Sequence, residues 1–141
     1  MVINSLPLSP IGMLQEEMWP DVWKILVVSI LHNQTSRKQV DKVYEDLFKK
    51  YPSAESMASV DKESVADIVK PLGLYNRRSL GLIKFSKQFI ENDWQMPSDL
   101  YGCGKYADDC YTVFCKFDWK NVNPTDHALN DYVDWARRTY A

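Results

Sequence analysis

The sequence predicts an all-α domain, and three observations carry the prediction. Apolar residues recur at helical spacing through most of the chain, as in Val40, Val43, Tyr44, Leu47, Phe48 and Tyr51. Glycines number only five, and alternating runs rich in Val, Ile and Thr are nearly absent, which argues against a β-sandwich or barrel. Capping residues and prolines punctuate the periodic segments at short intervals, as helix starts and stops do. The 141 residues suit one domain spanning 1–141. A 45% hydrophobic content with five Trp and eight Tyr supplies a core and argues against disorder.

The elements follow in order. Pro7 and Pro10 keep the first residues irregular, so 1–13 is read as a non-helical N-terminal segment and structure is not expected before residue 18. Pro20 suits the first position of a helix. The run from Val22 to Leu31 is apolar nearly all round, which places that helix at the centre of the domain. His32-Asn33-Gln34-Thr35-Ser36 interrupts it. Ser36 caps the next helix, whose stripe ends at Pro52; Ser53 and Asp61 cap two more, the second with Val65, Ile68 and Val69 inward. Pro71-Leu72-Gly73-Leu74 is a tight turn, and Asn76 is set to cap a helix from Arg77 to about Glu91. Pro97 opens a short helix, Gly102-Cys103-Gly104 turns the chain, and a helix runs from Lys105 to about Phe117. Pro124-Thr125-Asp126 opens the last, with Leu129, Tyr132, Val133, Trp135 and Ala136 inward. The sum is a compact bundle of about eight helices with short connections.

Several classes of function are excluded or disfavoured. No apolar run reaches the ~18 residues of a membrane span. The N-terminus lacks the basic and apolar regions of a secretory signal, so a place in the cytoplasm, or the nucleus of a eukaryote, is expected rather than export. Cys103, Cys110 and Cys115 are odd in number, which disfavours a disulfide framework and suits a reducing compartment. Without a C-x-x-C pair, and with the two His far apart in sequence, a structural zinc site is not expected. The net charge of −2 does not announce a nucleic-acid partner, but Ile68 to Ile90 carries Lys70, Arg77, Arg78, Lys84 and Lys87 with no Asp or Glu. That stretch is either a solvated helix face or a local surface for phosphates.

The hairpin from Met96 to Tyr106 carries the first functional signal. Gly102 and Gly104 stand one residue apart between two helices, after the apolar Leu100. Glycines there permit φ > 0 and a close approach, and the N–H groups opening the next helix, with Lys105, suit a phosphate. An ordinary turn between helices reads equally well from these residues alone. Its placement is informative, because an Asp at a helix start follows about twenty residues later with a Pro two positions before it.

Leu100–Tyr106 resembles the helix-hairpin-helix element of the endonuclease III superfamily of DNA glycosylases, and Val122-Asn123-Pro124-Thr125-Asp126-His127 resembles its catalytic-aspartate segment. Within it the chain is most similar to the glycosylase domain of methyl-CpG-binding domain protein 4, through words such as Tyr51-Pro52-Ser53-Ala54-Glu55, Lys70–Tyr75, Lys84-Phe85-Ser86 and Gly104-Lys105-Tyr106. The resemblance implies the helix-hairpin-helix glycosylase fold, a double-stranded DNA partner, a monomer, and excision of a base flipped out of the duplex. It implies Asp126 as the carboxylate that stabilises an oxocarbenium-like sugar and positions water, although Asp there is also an ordinary N-cap and both roles can hold. It places Leu14, Gln15, Tyr106 and Ala128 at the base pocket. It places Gln34, Leu72, Gly73, Arg77, Arg78, Gly102, Gly104 and Lys105 on DNA, with Leu72 as an apolar wedge; a core leucine is the other reading of Leu72.

Two further implications concern mechanism. Superfamily members with strand-cleaving activity carry a nucleophilic Lys where this chain has Tyr106, and Lys105 points about 100° away around a helix. A monofunctional enzyme without lyase activity follows. No Cys comes after Cys115, so the four-Cys iron–sulfur cluster of many relatives, or any other cofactor, is not expected. Three departures qualify the pattern: Gln34 and Ala128 stand where the family has Arg and Lys, and His32 where it has an apolar residue. The expected function is excision of thymine, uracil or a 5-substituted uracil, mispaired with guanine. The alternatives are a thymine-hypermodifying transferase on the same scaffold and a non-catalytic DNA-binding module.

Overall fold

The computed structural model describes residues 5–140, which contain no β-strand. Nine α-helices follow one another: α1 Leu14–Met18, α2 Val22–Leu31, α3 Arg37–Asp41, α4 Tyr44–Lys50, α5 Ala54–Ala58, α6 Lys62–Val69, α7 Tyr75–Glu91, α8 Lys105–Cys110 and α9 His127–Tyr140. Short 3₁₀ turns occupy Lys70–Leu72 and Pro97–Asp99. A π-helical turn, Tyr111–Cys115, prolongs α8 and carries Val113 and Phe114 into the interior.

Most starts are where the side chains predict them. Ser36, Ser53 and Asp61 accept hydrogen bonds from the amides of Gln39, Ser56 and Ser64. Three boundaries differ. Val22, not Pro20, takes the first position of α2, because Asp21 caps it, its side chain accepting from Lys24 N at 3.0 Å. Leu74 in a left-handed conformation, φ 47°, starts α7, so Asn76 lies inside the helix rather than capping it. The single helix expected after Ser36 is broken at Lys42–Val43, where Val43 leaves helical geometry at φ −123°. α1, set within residues expected to be irregular, exists because Glu16 accepts the amides of Ser9 and Met13 and ties the incoming chain down.

Two apolar cores share α2. Trp23, Leu26, Val27, Val28 and Leu31 pack with Val40, Leu47, Met57, Val65, Leu82 and Phe85. Ile25 faces the other way, into Leu6, Met13, Cys110, Phe114, Trp119, Leu129, Tyr132 and Val133. The central, all-round apolar helix that the sequence predicts is therefore a partition wall, and a cleft opens along one edge of it.

Candidate active site

The cleft measures about 1010 Å³ and is walled by four segments: Ile11–Gln15, Ser29–Arg37 around the end of α2, the Gly102–Ala107 hairpin, and Thr125–Ala128 at the start of α9. Of the residues expected at a site, Leu14, Gln15, Gln34, Gly102, Gly104, Lys105, Tyr106, Asp126 and Ala128 line it together. These positions are far apart in sequence and meet because α1, α2, α8 and α9 converge there.

Asp126 stands half-buried at the mouth. One carboxylate oxygen accepts from Leu129 N at 2.9 Å, and its carbonyl accepts from Asn130 N, so it caps α9. The cap fixes the side chain and leaves the second oxygen without a partner among the described residues. Negative charge at a helix N-terminus is favoured by the helix dipole.

At the back of the cleft a directed hydrogen-bond chain orients Gln15. Ser29 Oγ donates to Ile25 O at 2.7 Å, so its oxygen is left to accept. Gln15 Nε2 donates to it at 3.2 Å and to Tyr106 Oη at 3.0 Å. The amide is thereby fixed with Oε1 unpaired among the described residues and reaching the cleft, although Gln15 is only 1% exposed. Burial raises the Tyr106 pKa, so the phenol is neutral and a donor. Burial likewise pushes the Cys110 thiol behind it up to about 12, which keeps it unreactive. Ser29 was not singled out in the sequence; a lone polar residue inside an apolar helix is the signal that marks it.

The hairpin divides the roles of its glycines. Gly102 has φ 81°, which glycine alone adopts freely. Gly104 has φ −130° and a Cβ there meets nothing within 4 Å, so the fold itself does not demand glycine at that position. Lys105 donates to Asp109 at 2.6 Å and to Asn123 O at 2.9 Å. Its charge is therefore paired one turn along its own helix and tied to the loop that leads to α9.

The turn after α6 corrects one expectation. Leu72 is 5% exposed and packs in the first core. Val65, Val69 and Leu72 form one inward stripe that the 3₁₀ turn continues, so Leu72 cannot stand out of the surface as a wedge. Leu74, two residues on, is 58% exposed in a left-handed conformation that Leu rarely adopts. Gly73, φ 75°, turns the chain between them. Arg78 donates to Gly73 O at 2.9 Å and Asn33 O at 3.1 Å, stitching this turn to the cleft rim. Arg77 is exposed and makes no hydrogen bond or ion pair among the described residues. Leu72, Gly73, Arg77 and Arg78 lie outside the cleft lining, but Arg78 ties Gly73 to Asn33, which lines it. Gln34, exposed at φ 59°, lies on the same rim.

His32 and His127, distant in sequence, both line the cleft. Among the described residues no three His, Cys, Asp or Glu side chains come together in a way that could hold a metal ion, and the three cysteines are free thiols.

The glycine hairpin and the capped aspartate, far apart in sequence, thus line one cleft of a helical fold. The chain belongs to the HhH-GPD superfamily of base excision DNA repair proteins, whose family model matches residues 27–137. It is 39% identical over 134 residues to a methyl-CpG-binding domain protein 4-like protein of Arabidopsis thaliana, covering 95% of this chain and 30% of that protein. It is 33% identical over 94 residues to a thymine/uracil-DNA glycosylase of Pyrobaculum aerophilum, covering 62% of this chain and 41% of that one. The chain thus spans less than half the length of either relative. Among solved structures, a trapped endonuclease III–DNA covalent intermediate superposes with a TM-score of 0.58 at 22% identity, over 72% of this chain and 56% of that one, a likeness of fold. Among the described residues no helix is long and apolar enough to cross a membrane.

Proposed function

We propose that this chain is a monofunctional DNA glycosylase that excises thymine, uracil or a 5-substituted uracil, mispaired with guanine, from duplex DNA. The observation that carries the reading is Asp126, one carboxylate oxygen held by Leu129 N and the other unpaired, on the same cleft as the oriented Gln15–Tyr106 pair. A base inside a duplex cannot reach such a cleft, so the nucleotide must flip into it. Gln15 Oε1 is an acceptor for the N3–H of a uracil-type ring, and Tyr106 is a donor for one of its carbonyls. As the N-glycosyl bond stretches, positive charge grows on the sugar, and the fixed Asp126 carboxylate stabilises it and orients the attacking water.

Tyr106 occupies the hairpin position at which a nucleophilic amine would be needed for strand cleavage. A neutral phenol forms no Schiff base with the abasic sugar, and Lys105 is engaged with Asp109 and Asn123. None of these steps uses a cofactor. On duplexes containing uracil or thymine opposite guanine, the expected products are free base and an unbroken abasic strand, with no covalent protein–DNA adduct after borohydride. An adduct would overturn the monofunctional assignment. No free base, with a chemically altered C5 group instead, would favour a base-modifying transferase; binding without either outcome would favour a non-catalytic module.

The exposed Leu74 is the apolar side chain placed to enter the base stack, in place of Leu72. Leu72→Ala is expected to cost about 2–5 kcal/mol of stability by leaving a cavity in the first core. Leu74→Ala is expected to change stability by under about 0.5 kcal/mol, as exposed sites do. It is expected to lower excision about tenfold, because a wedge stabilises only the extruded state. Denaturant melts and single-turnover rates separate the two; a Leu74→Ala enzyme with full activity would remove the wedge from this turn.

A further inference from the structure

His32 lines the cleft, and the reading above leaves it without a role. It closes the C-terminal end of α2, and its Nδ1 lies 2.7 Å from Val28 O. A carbonyl oxygen only accepts, so Nδ1 carries the proton. Burial lowers the pKa of the ring; Arg37 pushes the same way, while the Val28 carbonyl and the charges of Asp126 and Asp41 oppose it. The ring is therefore neutral, with its lone pair on Nε2. Nε2 has no hydrogen-bond partner among the described residues and is not enclosed by protein. The ring stands edge-on to Tyr106, centroids 6.5 Å apart at 62°, which places it beside the Gln15–Tyr106 pair.

With the Asp126 carboxylate assigned to the sugar and Gln15 Oε1 to the base, His32 Nε2 remains an acceptor on the cleft with no assigned donor. A flipped uracil or thymine ring has one N–H donor, at N3, because N1 is bonded to the sugar. With that donor on Gln15 Oε1, thymine offers His32 Nε2 nothing to replace a water that base entry displaces, which is costly. A uracil-type ring has no exocyclic amine, so a second donor must come from its C5 substituent. We propose that His32 Nε2 accepts a hydrogen bond from a hydroxyl carried on the C5 substituent of the flipped base, making His32 a specificity-determining residue for hydroxyl-bearing 5-substituted uracils over thymine. The proposal rests on the glycosylase reading insofar as the base enters this cleft.

The test separates binding from bond cleavage. Duplexes carry, opposite guanine, the 2′-fluoroarabino nucleotide of either thymine or 5-hydroxymethyluracil; the fluorine disfavours the oxocarbenium, so both bases stay attached. A site built to pair with a hydroxyl discriminates strongly against the analogue lacking it. The wild type should bind the hydroxymethyl duplex about tenfold tighter or more, and His32→Leu should reduce that ratio to below about twofold. His32→Gln, which keeps an acceptor, should retain part of it. Equal binding of both duplexes by the wild type, or the same ratio in wild type and His32→Leu, would overturn the assignment. The ratio is insensitive to a general loss of folded protein, since both duplexes meet the same preparation. Release of free base from the unfluorinated nucleotides is measured in parallel. Discrimination in binding with no base release would sink the glycosylase reading and leave His32's role standing; release without discrimination would do the reverse.

Discussion

Asp126→Asn is expected to lower base release roughly 10³-fold or more while leaving affinity for duplex DNA within about twofold. Asn has nearly the size of Asp and is as good a helix cap, so Leu129 N keeps an acceptor and α9 keeps its start. The stability change should therefore be less than about 1 kcal/mol. What the variant loses is the negative charge, and that charge matters only when the sugar becomes cationic. Single-turnover release with saturating enzyme, beside a binding titration and a denaturant melt, reads the three quantities separately. An Asn variant with wild-type release would mean that Asp126 is a cap and nothing more. Parallel losses of stability and rate would mean that the rate effect is a folding effect.

Phe114→Ala should be the most damaging change away from the cleft, costing about 3–5 kcal/mol. Phe114 is fully buried in the second core, where its ring lies 4.8 Å from that of Tyr132 on α9. Tyr132 in turn donates to Pro7 O at 2.7 Å, so two contacts through one side chain bind the π-helical turn, the helix that Asp126 caps and the N-terminal segment leading to Gln15. Chemical denaturation should show a lower midpoint with an unchanged slope. A loss below about 1 kcal/mol would show that this core relaxes around the cavity and does not hold the site's walls in register.

Much of this architecture is legible in the residues. The helical stripes at Val40–Tyr51 and Leu129–Ala136 come out buried, and the caps Ser36, Ser53 and Asp61 are where short polar side chains precede apolar periods. The convergence of Gln15, Tyr106 and Asp126 follows from motif resemblance and from no local signal, since each is unremarkable in its own segment. What the sequence hides is tertiary in origin. α1 is held by Glu16 reaching back to Ser9 and Met13, an interaction that periodicity does not encode. Leu72 and Leu74 flank one glycine and are chemically identical. Only the continuation of the Val65–Val69 stripe through a 3₁₀ turn decides which points inward. Arg78 reads as a phosphate contact in a basic run, and nothing local shows that two of its nitrogens also tie carbonyls, one of them 45 positions away. His32 is visible in the sequence as a departure, but its significance depends on Nδ1 being tied to Val28, which turns an ordinary imidazole into a one-sided acceptor.

The position of α2 between two cores bears on how the molecule comes apart. Ile25 is sealed on one side of it, and Leu26, Val27 and Leu31 on the other. Neither half can lose its packing without exposing a wall that the other half also uses. Two apolar clusters would ordinarily suggest two independently melting units; a shared wall links their fates. Amide protons of α2 should then be released to solvent only through global opening, and the rim segments around Gln34, Leu74 and Gly102, which lie outside both clusters, through cheaper local fluctuations. The molecule thereby keeps a rigid spine against which the cleft rim can adjust.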